Sequence, residues 1–141
     1  MTILMVEDHL YYAMPAISEL GTRGFDVDTA EDAGEALRKL SGEQVLDLLI
    51  VDLSLPLGDM TAGPETASIE VGWVLIDRLR SSGGRNAQVP TIVVSAYRDT
   101  VPDLQSRMER LGVAAAFGKA STSAKDLTDF VSNLLAGQNQ G

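Results

Sequence analysis

The sequence predicts an α/β protein with a doubly wound, five-stranded parallel sheet. Short apolar runs alternate with amphipathic stretches five times along the 141 residues, and such alternation is typical of parallel sheets with helices on both faces. Two of the runs, 45–51 and 89–94, are apolar almost throughout, as expected of strands that are buried on both faces. We therefore expect the element order βαβαβαβαβα within one domain.

The first half of the chain contains three predicted strands and two predicted helices. In the first helix, Met14, Ile17 and Leu20 are spaced to form one apolar face, and Pro15 fits only within the first turn. Asp32 would cap the second helix, with Glu35 completing a capping box. The predicted elements are a strand at 3–6, a helix at about 12–24, a strand at 25–29, a helix at 32–40 and a strand at 45–51.

The second half continues the same alternation. The predicted elements are a helix at 72–80, a strand at 89–94, a helix at 101–111, a strand at 113–117 and a helix at about 127–135. We expect the domain to span residues 1–136, with a long inserted loop at about 57–71. Residues 137–141, GQNQG, would form a tail or the start of a linker.

Composition excludes several classes of function. The absence of cysteine excludes disulfides and thiolate metal sites, and His9 is the only histidine. A net charge of -9 disfavours direct binding to nucleic acid, because binding to phosphates requires a basic surface. No apolar run approaches the roughly 20 residues of a membrane helix, and the N-terminus lacks the basic flank of a signal peptide. We expect a cytoplasmic protein.

Polar residues follow four of the five predicted strands. Glu7 and Asp8 follow the first strand, Asp52 the third, Ser95 the fourth, and Lys119 lies just beyond the fifth. Ligands of open parallel sheets bind beyond the carboxyl ends of the strands. If the strand order is 2-1-3-4-5, as in flavodoxin-like (βα)5 folds, these five side chains converge on one pocket.

This set of groups suits phosphoryl transfer. Three clustered carboxylates need a cation, and hard oxygen ligands favour Mg²⁺ over zinc. A carboxylate can act as a nucleophile and form an acyl phosphate, and Asp52, at the end of the most buried strand, is the best candidate. Lys119 and the Ser95 hydroxyl could bind the remaining phosphoryl oxygens.

Four motifs, VEDH, LLIVDLSLP, VVSA and FGK, occur in this order and at these intervals. The chain thereby resembles the receiver domain of two-component response regulators over residues 1–136. The resemblance implies that a histidine kinase or a small phosphodonor phosphorylates Asp52. It also implies that Glu7, Asp8, Asp52 and the main-chain carbonyl of Ser54 hold Mg²⁺.

The resemblance implies further roles and partners. Ser95 and Lys119 would bind the phosphoryl group, and Ser54 and Tyr97 would tune the lifetime of the phosphorylated state. The domain would catalyse its own phosphorylation and dephosphorylation without being a classical enzyme. Its expected partners are a sensor histidine kinase or phosphotransfer protein, a downstream protein or output domain, and a second copy bound through the fourth helix, fifth strand and fifth helix.

The chain departs from the family pattern at two residues near Lys119. Ala116 occupies the position where the family commonly has an aromatic residue that turns inward on activation, and the neighbouring Phe117 fits a core position. Ala120 replaces a proline that often follows a cis bond. These departures keep open a second function, a receiver-like scaffold that binds partners without phosphorylation. A third, a Mg²⁺-dependent phosphatase, lacks the second acid that it needs near Asp52, because residue 54 is serine.

The inserted loop is the largest departure. Fifteen residues separate Pro56 from Gly72, where the family has about three. The loop could be a tolerated surface insertion, because longer loops add little closure entropy. It could instead be a lid or docking surface over the acidic pocket, since functional segments concentrate in long loops. A short additional helix that serves in assembly is the third interpretation.

Overall fold

The predicted sheet is present in the computed structural model, which describes residues 1–67, 69–96 and 98–139. Within these residues, five parallel strands lie in the order β2-β1-β3-β4-β5. The fold class and the strand order predicted from the sequence are therefore confirmed. The strands are β1 (Thr2–Val6), β2 (Asp26–Ala30), β3 (Leu48–Asp52), β4 (Thr91–Ser95) and β5 (Val113–Gly118).

Five helices connect and follow these strands in the described part of the chain. Helices α1 and α5 pack on one face of the sheet and α2, α3 and α4 on the other, so that each face has its own apolar core. Two short 3₁₀ turns, Pro64–Ala67 and Arg98–Thr100, precede α3 and α4. The helices are α1 (Leu10–Thr22), α2 (Ala33–Leu40), α3 (Val71–Ser81), α4 (Leu104–Leu111) and α5 (Ala124–Asn139).

Several element boundaries differ from the prediction, among them those of β3, α4 and α5. Strand β3 begins at Leu48, because the preceding Val45 is 60% exposed and lies outside the sheet. Helix α4 begins at Leu104, and Val101 belongs to the segment before it. Helix α5 includes residues 137–139, which the sequence had suggested as a tail.

The inner face of α1 also differs from the prediction. Met14 is 54% exposed, whereas Ala13 and Leu20 are buried against the sheet. Because α1 begins at Leu10, Pro15 lies in the second turn of the helix, whereas the sequence had suggested the first turn. A proline at this depth removes one helical hydrogen bond. The small side chain of Ala13 thus faces the core in place of the predicted Met14.

Helix α2 is capped largely as predicted. An Asp32 Oδ1 atom accepts a hydrogen bond from the backbone N–H of Glu35 at 2.7 Å, which satisfies one of the free donors of the first turn. The Glu35 carboxylate reaches back to the backbone N–H of Glu31 at 3.1 Å. The reciprocal bond thus closes one residue earlier than in a standard capping box.

The segment after β3 completes the cap of the same helix. The carbonyl oxygens of Pro56 and Leu57 accept hydrogen bonds from the backbone N–H groups of Ala33 and Gly34, both at 3.0 Å. A Cβ atom on Gly34 would come within 1.9 Å of an Asp59 oxygen, so only glycine permits this approach. Met60 is buried in the core. The first part of the inserted loop is therefore packed against α2.

The start of α3 lies directly against the end of β3. The Gly72 N–H donates to the Leu53 carbonyl at 3.0 Å, and a Cβ atom on Gly72 would lie 2.7 Å from both the Asp52 carbonyl oxygen and Leu53 Cα. The adjacent Trp73 is fully buried. Gly72 thus allows a helix to support the backbone of Asp52 at close range.

We expect Gly72→Ala to lower the free energy of unfolding by about 1–3 kcal/mol, because the new methyl group must displace the backbone at the end of β3. Gly21→Ala is the matched control, since nothing lies within 4 Å of a Cβ atom at that helical position. The control should be neutral or stabilising by up to about 1 kcal/mol. Urea denaturation measures both, and equal effects of the two substitutions would contradict the proposed close packing.

Candidate functional site

The five predicted site residues lie at one edge of the sheet. Glu7 and Asp8 directly follow β1, Asp52 and Ser95 are the last residues of β3 and β4, and Lys119 follows β5. Strand register aligns these ends, because Asp52 pairs with Val94 and Ser95 pairs with Gly118. The backbone N–H of Lys119 also donates to the Ser95 carbonyl at 2.9 Å. The parallel topology is thus what assembles the set.

Three carboxylates form a cluster at this edge. Ligand oxygens of Glu7, Asp8 and Asp52 all lie within 4.8 Å of one another. Glu7 and Asp52 are only 6% and 4% exposed, whereas Asp8 is more open to solvent. Two of the three charges are therefore held in a poorly hydrated environment, where they need a cation.

Lys119 supplies one such cation. Its Nζ atom lies 2.8 Å from a Glu7 carboxylate oxygen and 2.9 Å from Asp52 Oδ2. The ammonium therefore bridges β1 and β3 from the loop beyond β5. Removing this ammonium would leave two buried carboxylates without a partner, which is strongly destabilising.

The Asp52 carboxylate is held at both oxygens. Oδ2 accepts the bond from Lys119, and Oδ1 accepts a hydrogen bond from the backbone N–H of Ser54 at 3.0 Å. The Ser54 amide therefore fixes the rotation of the carboxylate. This places Ser54 in contact with the site through its main chain.

The site changes the pKa values of two of its groups. Burial raises the pKa of Glu7, and its hydrogen bond with Lys119 offsets this only in part. Burial alone would lower the pKa of Lys119, but hydrogen bonds to Glu7 and Asp52 outweigh it and raise the pKa. Lys119 therefore stays protonated at neutral pH.

These residues fit a magnesium ion. Three carboxylates against one ammonium leave two negative charges, which a divalent cation would neutralise. The donors are hard oxygens, as Mg²⁺ prefers, and the location of the Lys119 ammonium between Glu7 and Asp52 shows that the cluster accommodates positive charge. The structure thus agrees with the predicted ion at the level of the donor set.

The other predicted residues have different surroundings. Ser95 is 9% exposed at the end of β4. His9 is exposed, and its Nε2 atom lies 3.4 Å from an Asp8 oxygen at the rim of the site. Tyr97 lies outside the residues that the structure describes.

The neighbourhood of Ala116 contains a residue that the sequence analysis missed. The Arg98 Nε–H donates to the Ala116 carbonyl at 2.9 Å, and a Cβ atom on Gly118 would lie 3.5 Å from Arg98 Cβ. Arg98 thus crosses a part of β5 that carries small residues. Phe117 packs edge to face on Phe130, with ring centroids 5.2 Å apart, as expected of a core residue.

A cavity of about 560 Å³ opens beside Glu7 and Asp52, and none of the described residues of the inserted loop lines it. Residues 56–60 pack on α2, and the 3₁₀ turn Pro64–Ala67 contacts α3. Asp59 forms an ion pair with Arg38 of α2. The structure therefore places the described loop beside α2 and α3.

Solved structures resemble this chain over nearly its whole length. A CheY-like receiver domain protein from Methanospirillum hungatei JF-1 is 22% identical with a TM-score of 0.76, and the match covers 99% of this chain and 96% of that one. The receiver domain of the Francisella response regulator 1452 is 20% identical with a TM-score of 0.74, covering 97% and 98%. A two-component response regulator from Clostridium difficile is 17% identical with a TM-score of 0.75, covering 98% of both chains.

The chain has the receiver-domain fold. At these identities the similarity shows the fold and leaves the activity to be argued from the site. No family model matches the sequence, and no curated protein matches it either. None of the described helices is long and apolar enough to span a membrane.

We expect Glu7→Gln to stabilise the metal-free protein at neutral pH, because the raised pKa of Glu7 means that the fold disfavours its ionised form. That penalty is absent below the ordinary pKa of about 4.5 and develops as the pH rises through the folded value. The advantage of the variant should therefore disappear in acid. Thermal unfolding with EDTA from pH 4 to 8 measures this difference.

The same substitution should abolish stabilisation by Mg²⁺, because it removes a ligand. The wild-type protein should gain about 1.4 kcal/mol when free Mg²⁺ is tenfold above its dissociation constant. Glu31→Gln is the control, because it changes an exposed carboxylate before α2. This variant should keep the stabilisation by Mg²⁺. An undiminished response to Mg²⁺ in Glu7→Gln would contradict the assignment.

Proposed function

We propose that this chain is the phospho-acceptor receiver domain of a two-component response regulator. Asp52 accepts a phosphoryl group from a histidine kinase or phosphotransfer protein in a Mg²⁺-dependent reaction, and the modification switches a protein-interaction surface. The observation that carries this proposal is the contact of Lys119 with Asp52 at 2.9 Å beside two further carboxylates. This arrangement combines a nucleophile, a cation site and a ligand for phosphoryl oxygens.

The reaction needs little covalent chemistry from the protein. A carboxylate oxygen of Asp52 attacks phosphorus, the bond from phosphorus to the histidine nitrogen of the donor breaks, and the imidazole leaves with the electron pair. The buried carboxylate is already fixed by the Ser54 amide, so that little orientational freedom is lost in the transition state. When bound to Glu7, Asp8 and Asp52, Mg²⁺ supplies charge neutralisation at the phosphoryl oxygens.

Lys119 and Ser95 bind the product in this proposal. The Lys119 ammonium is within hydrogen-bond distance of Asp52 Oδ2, so a phosphoryl group on that side chain lies within its reach. The Ser95 hydroxyl takes another phosphoryl oxygen and draws the segment after β4 inward. Ser54 and Tyr97 tune dephosphorylation.

The switched surface is formed by α4, β5 and α5. Arg98 supports this proposal, because its bond to the Ala116 carbonyl ties the segment after β4 to β5. Inward movement at Ser95 would therefore displace β5 as well, although position 116 lacks the aromatic residue that is common in the family. The same surface would bind a downstream protein, an output domain or a second copy of the chain.

The remaining expectations belong to the same proposal. The receiver domain spans residues 1–136, and residues 137–141 begin a linker into which α5 continues as far as Asn139. The protein works in the cytoplasm without contacting nucleic acid directly. The alternative is a receiver-like scaffold that binds partners without phosphorylation. The core position of Phe117 and the small side chain of Ala116 favour this alternative. Neither position provides an aromatic side chain that could turn inward on activation.

We expect Mg²⁺ with acetyl phosphate to add one phosphoryl group to the wild-type chain and none to Asp52→Asn, because the amide is a poor nucleophile. Asp77→Asn is the matched control, since Asp77 is exposed on α3, and it should be labelled like the wild type. Intact-protein mass spectrometry measures the adduct. Beryllofluoride should bind at Asp52 under the same conditions, observed by ¹⁹F NMR.

Absence of both adducts would leave the scaffold function as the better account. Labelling that persists in Asp52→Asn would place the phosphoryl group on another residue and contradict the mechanism. EDTA should suppress both adducts in the wild-type protein, because the clustered carboxylates would then repel the incoming phosphoryl oxygens.

A further inference from the structure

Strand β5 forms an outer edge of the sheet, because β4 is its only neighbouring strand in the described chain. Along a parallel strand, successive residues direct their backbone N–H and C=O groups alternately to the two sides. Lys119 donates its N–H to the carbonyl of Ser95 at 2.9 Å and so faces β4. Ala116, three positions earlier, therefore directs its carbonyl group away from β4, to the outer edge of the sheet.

Arg98 reaches this outer edge from the inner side of β5. It lies in the 3₁₀ turn after β4, and its Nε–H donates to the Ala116 carbonyl at 2.9 Å. Its Cβ atom is 3.5 Å from the place that a Cβ atom on Gly118 would take. The side chain thus starts beside Gly118, close to β4, and crosses the whole width of β5.

Small residues leave room for this crossing. The side chains of residues 116 and 118 point to the same face of the strand, and they are a methyl group and a hydrogen atom. An arginine suits the crossing, because it combines a long stem with a permanently charged donor group. Its ion pair with Asp99 is exposed to solvent and contributes little. The bond to Ala116 is therefore the contact that holds the guanidinium at the edge.

The crossing has a mechanical consequence for the proposed phosphorylated state. Ser95 and Arg98 are three residues apart, so that an inward movement of Ser95 also moves the backbone of Arg98. Because the guanidinium is attached on the far side of β5, this movement pulls on the outer edge of the strand. The bond between Lys119 and Ser95 acts only at the end of β5, beyond the three alanines at 114–116.

We infer that Arg98 is a positioning residue that transmits the movement of the segment after β4 to the outer edge of β5. The state of Asp52 then changes the interaction surface through this side chain. The inference rests on the proposed function of Asp52 and Ser95. Arg98 does not line the cavity beside Asp52, and it acts on the surface through the backbone of β5.

The test follows the amide signals of Ala114, Ala115 and Ala116 by ¹⁵N NMR while Mg²⁺ and beryllofluoride are added to the full chain. In the wild-type protein, binding at Asp52 should shift these signals. Arg98→Met keeps an unbranched stem but lacks the donor. It should lose most of the shift change, because the strand is no longer attached to the moving segment.

The dissociation constant of beryllofluoride gives a second readout. Arg98→Met should bind it as tightly as the wild type or more tightly, because binding no longer has to displace β5. Loss of a side chain that only stabilised the site would instead weaken binding. Arg110→Met is the matched control, since Arg110 is exposed on α4, and it should keep the wild-type shifts and dissociation constant.

Arg98→Ala removes the stem as well and should behave like Arg98→Met, and circular dichroism reports whether each variant is folded. The inference is overturned if a folded variant keeps the full shift change or binds beryllofluoride more weakly than the wild type. Failure of both variants to fold would also overturn it, because Arg98 would then have a structural role. If the wild type binds beryllofluoride without a response in β5, the inference falls and the proposed function stands. Absence of binding to the wild type would overturn both.

Discussion

The contact of the Lys119 ammonium with Glu7 and Asp52 joins three strands that are distant in sequence. Glu7 follows β1, Asp52 ends β3 and Lys119 follows β5, so that one cation holds the carboxyl edge of the sheet together. Both acids are nearly buried, where a carboxylate needs a partner within the protein. The lysine therefore compensates part of the charge that the proposed metal ion and phosphoryl group would meet.

The backbone around Asp52 is as constrained as its side chain. Gly72 brings the start of α3 against the Asp52 carbonyl, and the Ser54 amide fixes the carboxylate. A nucleophile that is held from two sides needs little reorganisation to react. On the opposite side of the site, the segment after β4 is tied to β5 through Arg98.

The sheet and the strand-end residues could be predicted because both depend on local signals. An apolar run that stops at a polar residue marks the end of a strand, and Asp52 and Ser95 lie where those runs stop. The inner face of α1 could not be predicted in this way, because Met14 and Ala13 are adjacent apolar residues and tertiary packing selects between them. The contact of Arg98 with Ala116 joins the turn after β4 to strand β5, and sequence periodicity carries no information about it.

The inserted loop has two unlike parts, and the first begins where the carbonyl groups of Pro56 and Leu57 cap α2. Up to Met60 the chain supplies hydrogen-bond acceptors to α2 and a side chain to the core, so this part belongs to the folded framework. From Thr61 onward the described chain returns to α3 over the surface. For protein engineering, the point of insertion for a foreign peptide or a reporter domain therefore lies after Met60, beyond the part of the loop that caps α2 and contributes to the core.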